Sequence, residues 1–248
     1  MSLVLKNPHS VLEILKTRPK AVKKLLIAEK HENSSSPWAE VLKIAKKLKI
    51  PVQDPKTKQK DPGKKKPVQK TEERRTASAE AEVEPKTPIE LEKVFHKKTE
   101  GYGLWLALDC LQDPHNVGAI FRTASFFGIS GIIMMQDRAA PLSGIVYDTA
   151  SGGVEHVPFC IVGNLKHALQ KAKDSDVWVL GASEHAKLPL KSIGLDRHRI
   201  IVIGNEEKGM RRLTEEQCDE VCKIPSLGKV GSLNASVAAG IMMSHFRM

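Results

Sequence analysis

The sequence predicts an α/β protein: a mainly parallel sheet covered by helices, preceded by a smaller α/β unit. Three observations carry this. From Leu104 onward, short apolar runs alternate with segments of helical spacing, the pattern of strands joined by crossover helices. Those runs (Leu104–Leu108, Ile132–Met135, Ile200–Ile203) are continuous and mostly branched, as strands buried on both faces require. Between this body and the N-terminal unit, Asp54–Pro88 is rich in Lys, Pro, Glu, Thr and Gln and almost empty of large apolar residues. Such a composition cannot bury enough surface to offset its ordering entropy, so 54–88 reads as a disordered insertion or linker.

Within residues 1–53, Ser10–Lys16 reads as a short helix with Ser10 as its cap and Arg18-Pro19 beyond its end. Ala21–Ala28 is strand-like. Trp38–Leu48 is helical, with Val41, Leu42, Ala45 and Leu48 on one stripe, and Ile50-Pro51-Val52 begins another strand. Lys43, Lys46, Lys47 and Lys49 are left for an exposed face. Ile89–Phe95 resumes apolar spacing as a short helix, and we take 89–103 to complete the N-terminal unit.

In the body, Leu104–Leu108 is a strand ended by the polar loop Asp113-Pro114-His115-Asn116. Asn116–Phe127 is a helix closed by Gly128. Ile132–Met135, Val157–Val162, Trp178–Leu180, Ile200–Ile203 and Val221–Ile224 are further strands, Leu165–Ala172 is a helix, and Asn234–Phe246 closes the chain as an Ala/Met-rich helix.

Composition narrows the function. The chain has 248 residues, 41% of them hydrophobic, enough for one large or two smaller domains. Its four cysteines, Cys110, Cys160, Cys218 and Cys222, have neither disulfide nor zinc spacing, so core thiols are expected and no metal. No run reaches transmembrane length and the N-terminus has no signal pattern, which points to the cytoplasm. The net charge of +10 is lopsided: residues 1–53 carry an excess of +7, 54–88 of +3, and 89–248 none. A neutral body with a basic N-terminal part suggests that the latter meets a polyanion, RNA above all.

Three polar clusters stand at strand ends of the body. They are Asn116-Val117-Gly118-Ala119-Ile120-Phe121-Arg122, Gly204-Asn205-Glu206-Glu207-Lys208-Gly209 and Ser232-Leu233-Asn234-Ala235-Ser236. Singly, each has a plain reading: Asn116, Ser232 or Asn234 as helix caps, Arg122 as a surface cation, Glu206 as a solvated turn residue. In this order and spacing they resemble the three motifs of the SpoU/TrmH family of RNA ribose 2′-O-methyltransferases. The resemblance extends from about Leu104 to the C-terminus and includes Asp113-Pro114-His115-Asn116 and Gly209-Met210-Arg211-Arg212-Leu213-Thr214. The opening Asn7-Pro8-His9-Ser10-Val11-Leu12-Glu13 further resembles the L30e-like RNA-binding domain of the branch that methylates a guanosine ribose in 23S rRNA.

The resemblance implies a trefoil-knotted methyltransferase domain over 104–248, a homodimer, and S-adenosylmethionine as cofactor. By motif position, Gly204, Ile224 and Leu233 would contact the cofactor, and Asn116, Arg122, Glu206, Ser232 and Asn234 would form the catalytic set. The family usually gives Arg122 the role of general base. A guanidinium with a pKa above about 12 has no acceptor in its normal state. Arg122 is better suited to clamp an RNA phosphate or stabilise the developing alkoxide, with Glu206 or RNA itself taking the proton. One departure stands in Tyr147-Asp148-Thr149-Ala150-Ser151-Gly152-Gly153, where the family often has a lysine; Asp148 there would weaken phosphate contact.

Overall fold

The computed structural model describes residues 2–28, 35–54, 79–95 and 101–248. They fall into two compact units, Met1–Lys86 and Thr87–Met248.

Among the described residues, the N-terminal unit is a four-stranded mixed sheet with two α-helices. In chain order it has β1 (Leu3–Leu5), α1 (Pro8–Thr17), β2 (Val22–Leu26), α2 (Pro37–Lys47), β3 (Val52–Gln53) and β4 (Glu80–Val83), with the sheet ordered β1-β4-β2-β3. Two expectations are corrected. The cap of α1 is Asn7, whose side chain accepts from the His9 amide at 2.9 Å, and Pro8 takes the first turn, where its missing N–H is harmless. Ser10 is buried inside the helix instead. The stretch read as linker also contains β4, an interior strand with Ala81 and Val83 fully buried. Its alternation of Glu and small apolar residues lacks bulk, so it reads as polar until β1 and β2 flank it. Residues 55–78, including Lys64-Lys65-Lys66, lie outside the described residues.

The second unit opens with α3 (Leu91–Val94). Its elements are then β5 (Leu104–Leu108), α4 (Pro114–Phe126), β6 (Gly131–Met135), α5 (Gly144–Ala150), α6 (Gly153–His156), β7 (Phe159–Val162), α7 (Leu165–Asp174) and β8 (Trp178–Ala182). β9 (Leu188–Pro189), β10 (Arg199–Ile203), α8 (Arg212–Glu215), β11 (Glu220–Lys223) and α9 (Ala235–Arg247) complete it. The expectation that 89–103 completes the N-terminal unit is corrected here. Trp105 is fully buried, and its indole N–H donates to the Val94 carbonyl at 2.8 Å, while the Ile89 amide donates to the Phe159 carbonyl at 2.8 Å. A buried indole needs an acceptor, and segment 87–95 supplies it, so that segment belongs to the large sheet.

That sheet has seven strands, all parallel, ordered β7-β6-β5-β10-β8-β11-β9. Every residue of β5, β6 and β10 is buried, which explains their unbroken apolar sequences. Cys160 and Cys222 are core thiols; burial pushes them up to about 12 and about 11, so they stay protonated. After β5 the chain steps outward through β6 to β7. It returns on the other side to form β8, and only then does β10 enter between β5 and β8. The crevice past the carboxyl ends of β5 and β10 is therefore the topological switch point, where open α/β sheets place ligands. Among the described residues no helix is long and apolar enough to cross a membrane.

Candidate active site

All three polar clusters lead out of, or return to, that crevice. The first begins where β5 ends. Asp113, not Asn116, caps α4: its carboxylate accepts from the His115 amide at 2.8 Å, with Pro114 in the first turn. Asn116 thus stands inside the first turn, 5% exposed, with its side chain aimed across the crevice. Gly118 lies one half-turn on, where a Cβ would come within 2.6 Å of Thr149 and 2.8 Å of the Val146 carbonyl. The glycine allows α5 to lie directly on α4. Asp148, which stands in the stretch where the family often has a lysine, is part of α5.

The second cluster follows β10. Asn205 and Gly209 exchange backbone hydrogen bonds of 3.0 Å in both directions, which folds the loop back on itself. The Asn205 side chain accepts from the amides of Glu207 and Lys208 and donates to the Cys110 carbonyl at 3.0 Å. Gly204 is required by this loop: a Cβ there would overlap the Gly209 carbonyl carbon and the Met210 nitrogen. The requirement comes from the chain itself, so a bulky residue at 204 breaks the loop whether or not a ligand is nearby.

Glu206 is the hub. Its Oε1 accepts from Asn116 Nδ2 at 3.1 Å and from the Asp113 amide at 3.2 Å; its Oε2 accepts from Asn205 Nδ2 at 3.2 Å and, more weakly, from the Gln112 amide at 3.4 Å. Partial burial works to raise its pKa. The hydrogen bonds from Asn116 and the backbone outweigh that and hold it below the ordinary glutamate value. The positive end of α4 favours the same charged form. A carboxylate that accepts four donors is stabilised in its ionised form.

The third cluster closes the network. Asn234 caps α9, with Oδ1 accepting from the Ser236 amide at 2.9 Å and the Ser236 hydroxyl at 2.6 Å. Its Nδ2 donates to Asn116 Oδ1 at 2.9 Å. Asn234–Asn116–Glu206 is thus one hydrogen-bonded chain joining residues 118 and 90 positions apart. The cap reading of Asn234 holds, and the same side chain reaches the crevice: its oxygen serves α9 and its nitrogen donates to Asn116.

Arg122 and Ser232 are not in that chain. Arg122 lies six residues beyond Asn116 on α4, exposed, with Nη1 3.5 Å from Ser151 Oγ at the end of α5. Ser232 is exposed in the segment after β11. In that same segment Leu227, Val230 and Leu233 are 100, 75 and 49% exposed, Ile224 is partly buried, and the Ser226 hydroxyl donates to the Val230 carbonyl at 2.7 Å. Among the described residues no backbone amide of 226–233 donates within the chain. Uncovered aliphatic side chains beside free amides are a donor set that suits an adenosine with a short zwitterionic tail, so Ile224 and Leu233 fit the cofactor role. Sequence reasoning missed the Asp109–Arg211 pair at the base of the loop, although an acid at the end of an apolar strand was a visible signal.

Residues 103–244 match the SpoU rRNA Methylase family. The chain is 36% identical over 239 residues to the 23S rRNA (guanosine-2′-O-)-methyltransferase RlmB of Pseudomonas aeruginosa, covering 95% of this chain and 92% of that protein. It is 43% identical over 153 residues to RlmB of Nitrosomonas europaea, covering 62% of this chain and 58% of that one. The SpoU methyltransferase AviRb of Streptomyces viridochromogenes, solved with AdoMet, shares the fold with a TM-score of 0.73 at 19% identity, over 99% of this chain and 89% of that one. With a family match across its whole parallel-sheet unit and a relative aligned over nearly its full length, this chain belongs to the SpoU rRNA methylase family.

Proposed function

We propose that the chain is an S-adenosylmethionine-dependent RNA ribose 2′-O-methyltransferase whose substrate is a guanosine of 23S rRNA. The observation that carries the reading is the Asn234–Asn116–Glu206 chain, which brings three separate clusters together at the switch point. Mere RNA binding has no use for such a device. The substrate is taken from the RlmB relatives, and the cofactor from the family resemblance and the fit of residues 224–233.

In this reading Gly204, Ile224 and Leu233 flank the cofactor, which supplies the sulfonium methyl. Asn116, Glu206 and Asn234 hold the crevice walls in register. Asn116 spends one N–H on Glu206 and keeps the other, and Ser232 adds an exposed hydroxyl; both can orient the ribose. Orientation of this kind can supply about 7–11 kcal/mol of a bimolecular barrier. Arg122, beside Ser151, clamps the phosphate next to the target ribose and stabilises charge developing on the 2′-oxygen. The hydroxyl proton leaves to the RNA or to water.

The N-terminal unit captures RNA as an L30e-like domain, through the exposed Lys43, Lys46, Lys47 and Lys49 on and just after α2. The second unit forms a homodimer: α4 and α9 pack together yet leave Phe126, Val237 and Ile241 exposed at 83, 48 and 38%. Threading of the C-terminal segment through a trefoil knot and a cytoplasmic location complete the proposal. The test is transfer of labelled methyl groups to 23S rRNA fragments and to tRNA, followed by mapping of the modified nucleotide. Label appearing as 2′-O-methylguanosine in rRNA supports the reading; label in tRNA alone reassigns the substrate; no transfer to either defeats it.

A further inference from the structure

The base of the loop that carries Glu206 is held by a pair outside all three motif clusters. Asp109 is fully buried one step past β5, and its amide donates to the Ile203 carbonyl at 2.8 Å, extending the β5–β10 ladder. Its Oδ1 accepts from Nε and Nη2 of Arg211, each at 2.7 Å, and its Oδ2 accepts from the Arg211 amide at 2.9 Å. Burial opposes the charge on Arg211, but Asp109 outweighs it and raises the Arg211 pKa. The loop is therefore fastened twice to residues 109 and 110, by Arg211 at its exit and by Asn205 Nδ2 on the Cys110 carbonyl near its entry. Its tip then meets residues 112, 113 and 116 through Glu206.

We infer that Asp109 and Arg211 are positioning residues for methyl transfer, setting where Glu206 and through it Asn116 stand in the crevice. The inference rests on the methyltransferase reading above. A buried ion pair is weak grounds for expecting a stability role, because apolar replacements of such pairs are often neutral or better. Its geometry is the informative part. A salt bridge that also binds the arginine's own amide fixes the backbone of residue 211 as well as its charge, and so fixes the loop's exit. Misplacement of a catalytic group by about 1 Å is enough to slow a reaction by about 10²-fold.

The experiment measures methyl transfer to a 23S rRNA fragment by the full chain and by Arg211→Ala, Arg211→Lys and Asp109→Asn, with a melting curve for each. Arg211→Ala should lose about 10²-fold in kcat with KM for RNA little changed. Because the Arg211 side chain is 42% exposed, guanidinium chloride at millimolar, non-denaturing concentration should reach Asp109 and restore part of that kcat. It should restore nothing to Arg211→Ala combined with Asp109→Asn. Arg211→Lys keeps a cation on an accessible stem and guards against a misfolded alanine variant; it should lose about tenfold in kcat while melting as the wild type does. Wild-type turnover in Arg211→Ala or Arg211→Lys, or an Arg211→Ala defect that guanidinium does not relieve, overturns the inference alone. Absence of transfer by the wild type overturns the methyltransferase reading, and this inference with it.

Discussion

The two units are both α/β, yet they differ in where they leave charge. The N-terminal sheet is small and mixed, and its strands carry ions: Lys23 pairs with Glu84 at 2.7 Å and Lys24 with Glu82 at 2.9 Å. The seven-stranded sheet is wholly parallel, with three strands buried along their entire length. Parallel ladders need crossover helices, which cover both faces and push every polar group to the strand ends. One residue from each of the three clusters meets at the switch point: Asn116, Glu206 and Asn234. The small mixed sheet is flanked by α2, whose Lys43, Lys46 and Lys47 are exposed. If, as proposed, the parallel sheet carries the reaction and the small unit captures RNA, the two functions should be separable.

The largest expected effect is at Arg122. Arg122→Ala should cut methyl transfer by about 10²–10³-fold while leaving most RNA affinity in place, because it removes a stabiliser of developing charge and only one partner for phosphate. Single-turnover transfer alongside filter binding reads both quantities. Near-normal turnover would remove Arg122 from the site. The reverse experiment removes Met1–Lys86 and keeps Thr87–Met248, which is a compact unit by itself. RNA affinity should fall, and its dependence on salt should become shallower by about 0.7–0.9 in log–log slope for each phosphate that is no longer neutralised. Affinity for S-adenosylhomocysteine, measured by calorimetry, should barely change, and light scattering should still find a dimer. A monomeric fragment would place the dimer interface elsewhere.

A smaller effect distinguishes the network from a plain cap. Asn116→Ala deprives Glu206 of one donor and Asn234 Nδ2 of its acceptor, a loss of about 1–3 kcal/mol readable in thermal melts. It should also alter the acid response. Glu206 is held below its ordinary pKa in the folded chain, so its contribution to stability is full above about pH 4.3 and is lost as pH falls through the lower folded value. Without Asn116 the folded and unfolded values approach each other. The variant should then lose less stability than wild type across that acid window, and parallel pH–stability curves would argue that Asn116 is not a determinant of the Glu206 charge.

Much of this was legible in the sequence, and the rest was hidden for identifiable reasons. Continuous runs such as Arg199–Ile203 announced buried parallel strands because burial on both faces leaves no alternation to interpret. Cap chemistry was misplaced by a few residues at Ser10 and Asn116, since Asn7-Pro8 and Asp113-Pro114 were the actual starts and proline marks a first turn more reliably than serine does. β4 was missed because a strand of alternating glutamates and small residues depends on its neighbours for its identity. The resemblance names Asn116, Glu206 and Asn234 together, and the structure brings their side chains into hydrogen-bond contact. Their bonding order is visible only in the folded chain, because no spacing along the sequence tells which oxygen is already occupied.

The smallest effect sharpens the contrast inside the N-terminal unit itself. Its lysines are of two kinds. Lys23 and Lys24 on β2 face glutamates of the neighbouring chain segment, and the Lys23 hydrogen bond lowers the Glu84 pKa. Lys43 and Lys47 on α2 stand four residues apart on one exposed helix face. Only an uncompensated lysine releases counterions when it meets a phosphate, so the α2 pair should carry the salt dependence and the β2 pair should not. Lys43→Ala with Lys47→Ala should reduce the log–log salt slope of RNA binding by about 1.4–1.8, leaving methyl transfer at saturating RNA unchanged. Lys23→Ala with Lys24→Ala should change the slope far less, because each removed cation also frees a glutamate that repels the same RNA backbone only weakly through solvent. Filter binding over a salt series, run on both double variants, measures the difference. If the two pairs shift the slope equally, RNA meets β2 as much as the helix, and α2 loses its place as the capture surface.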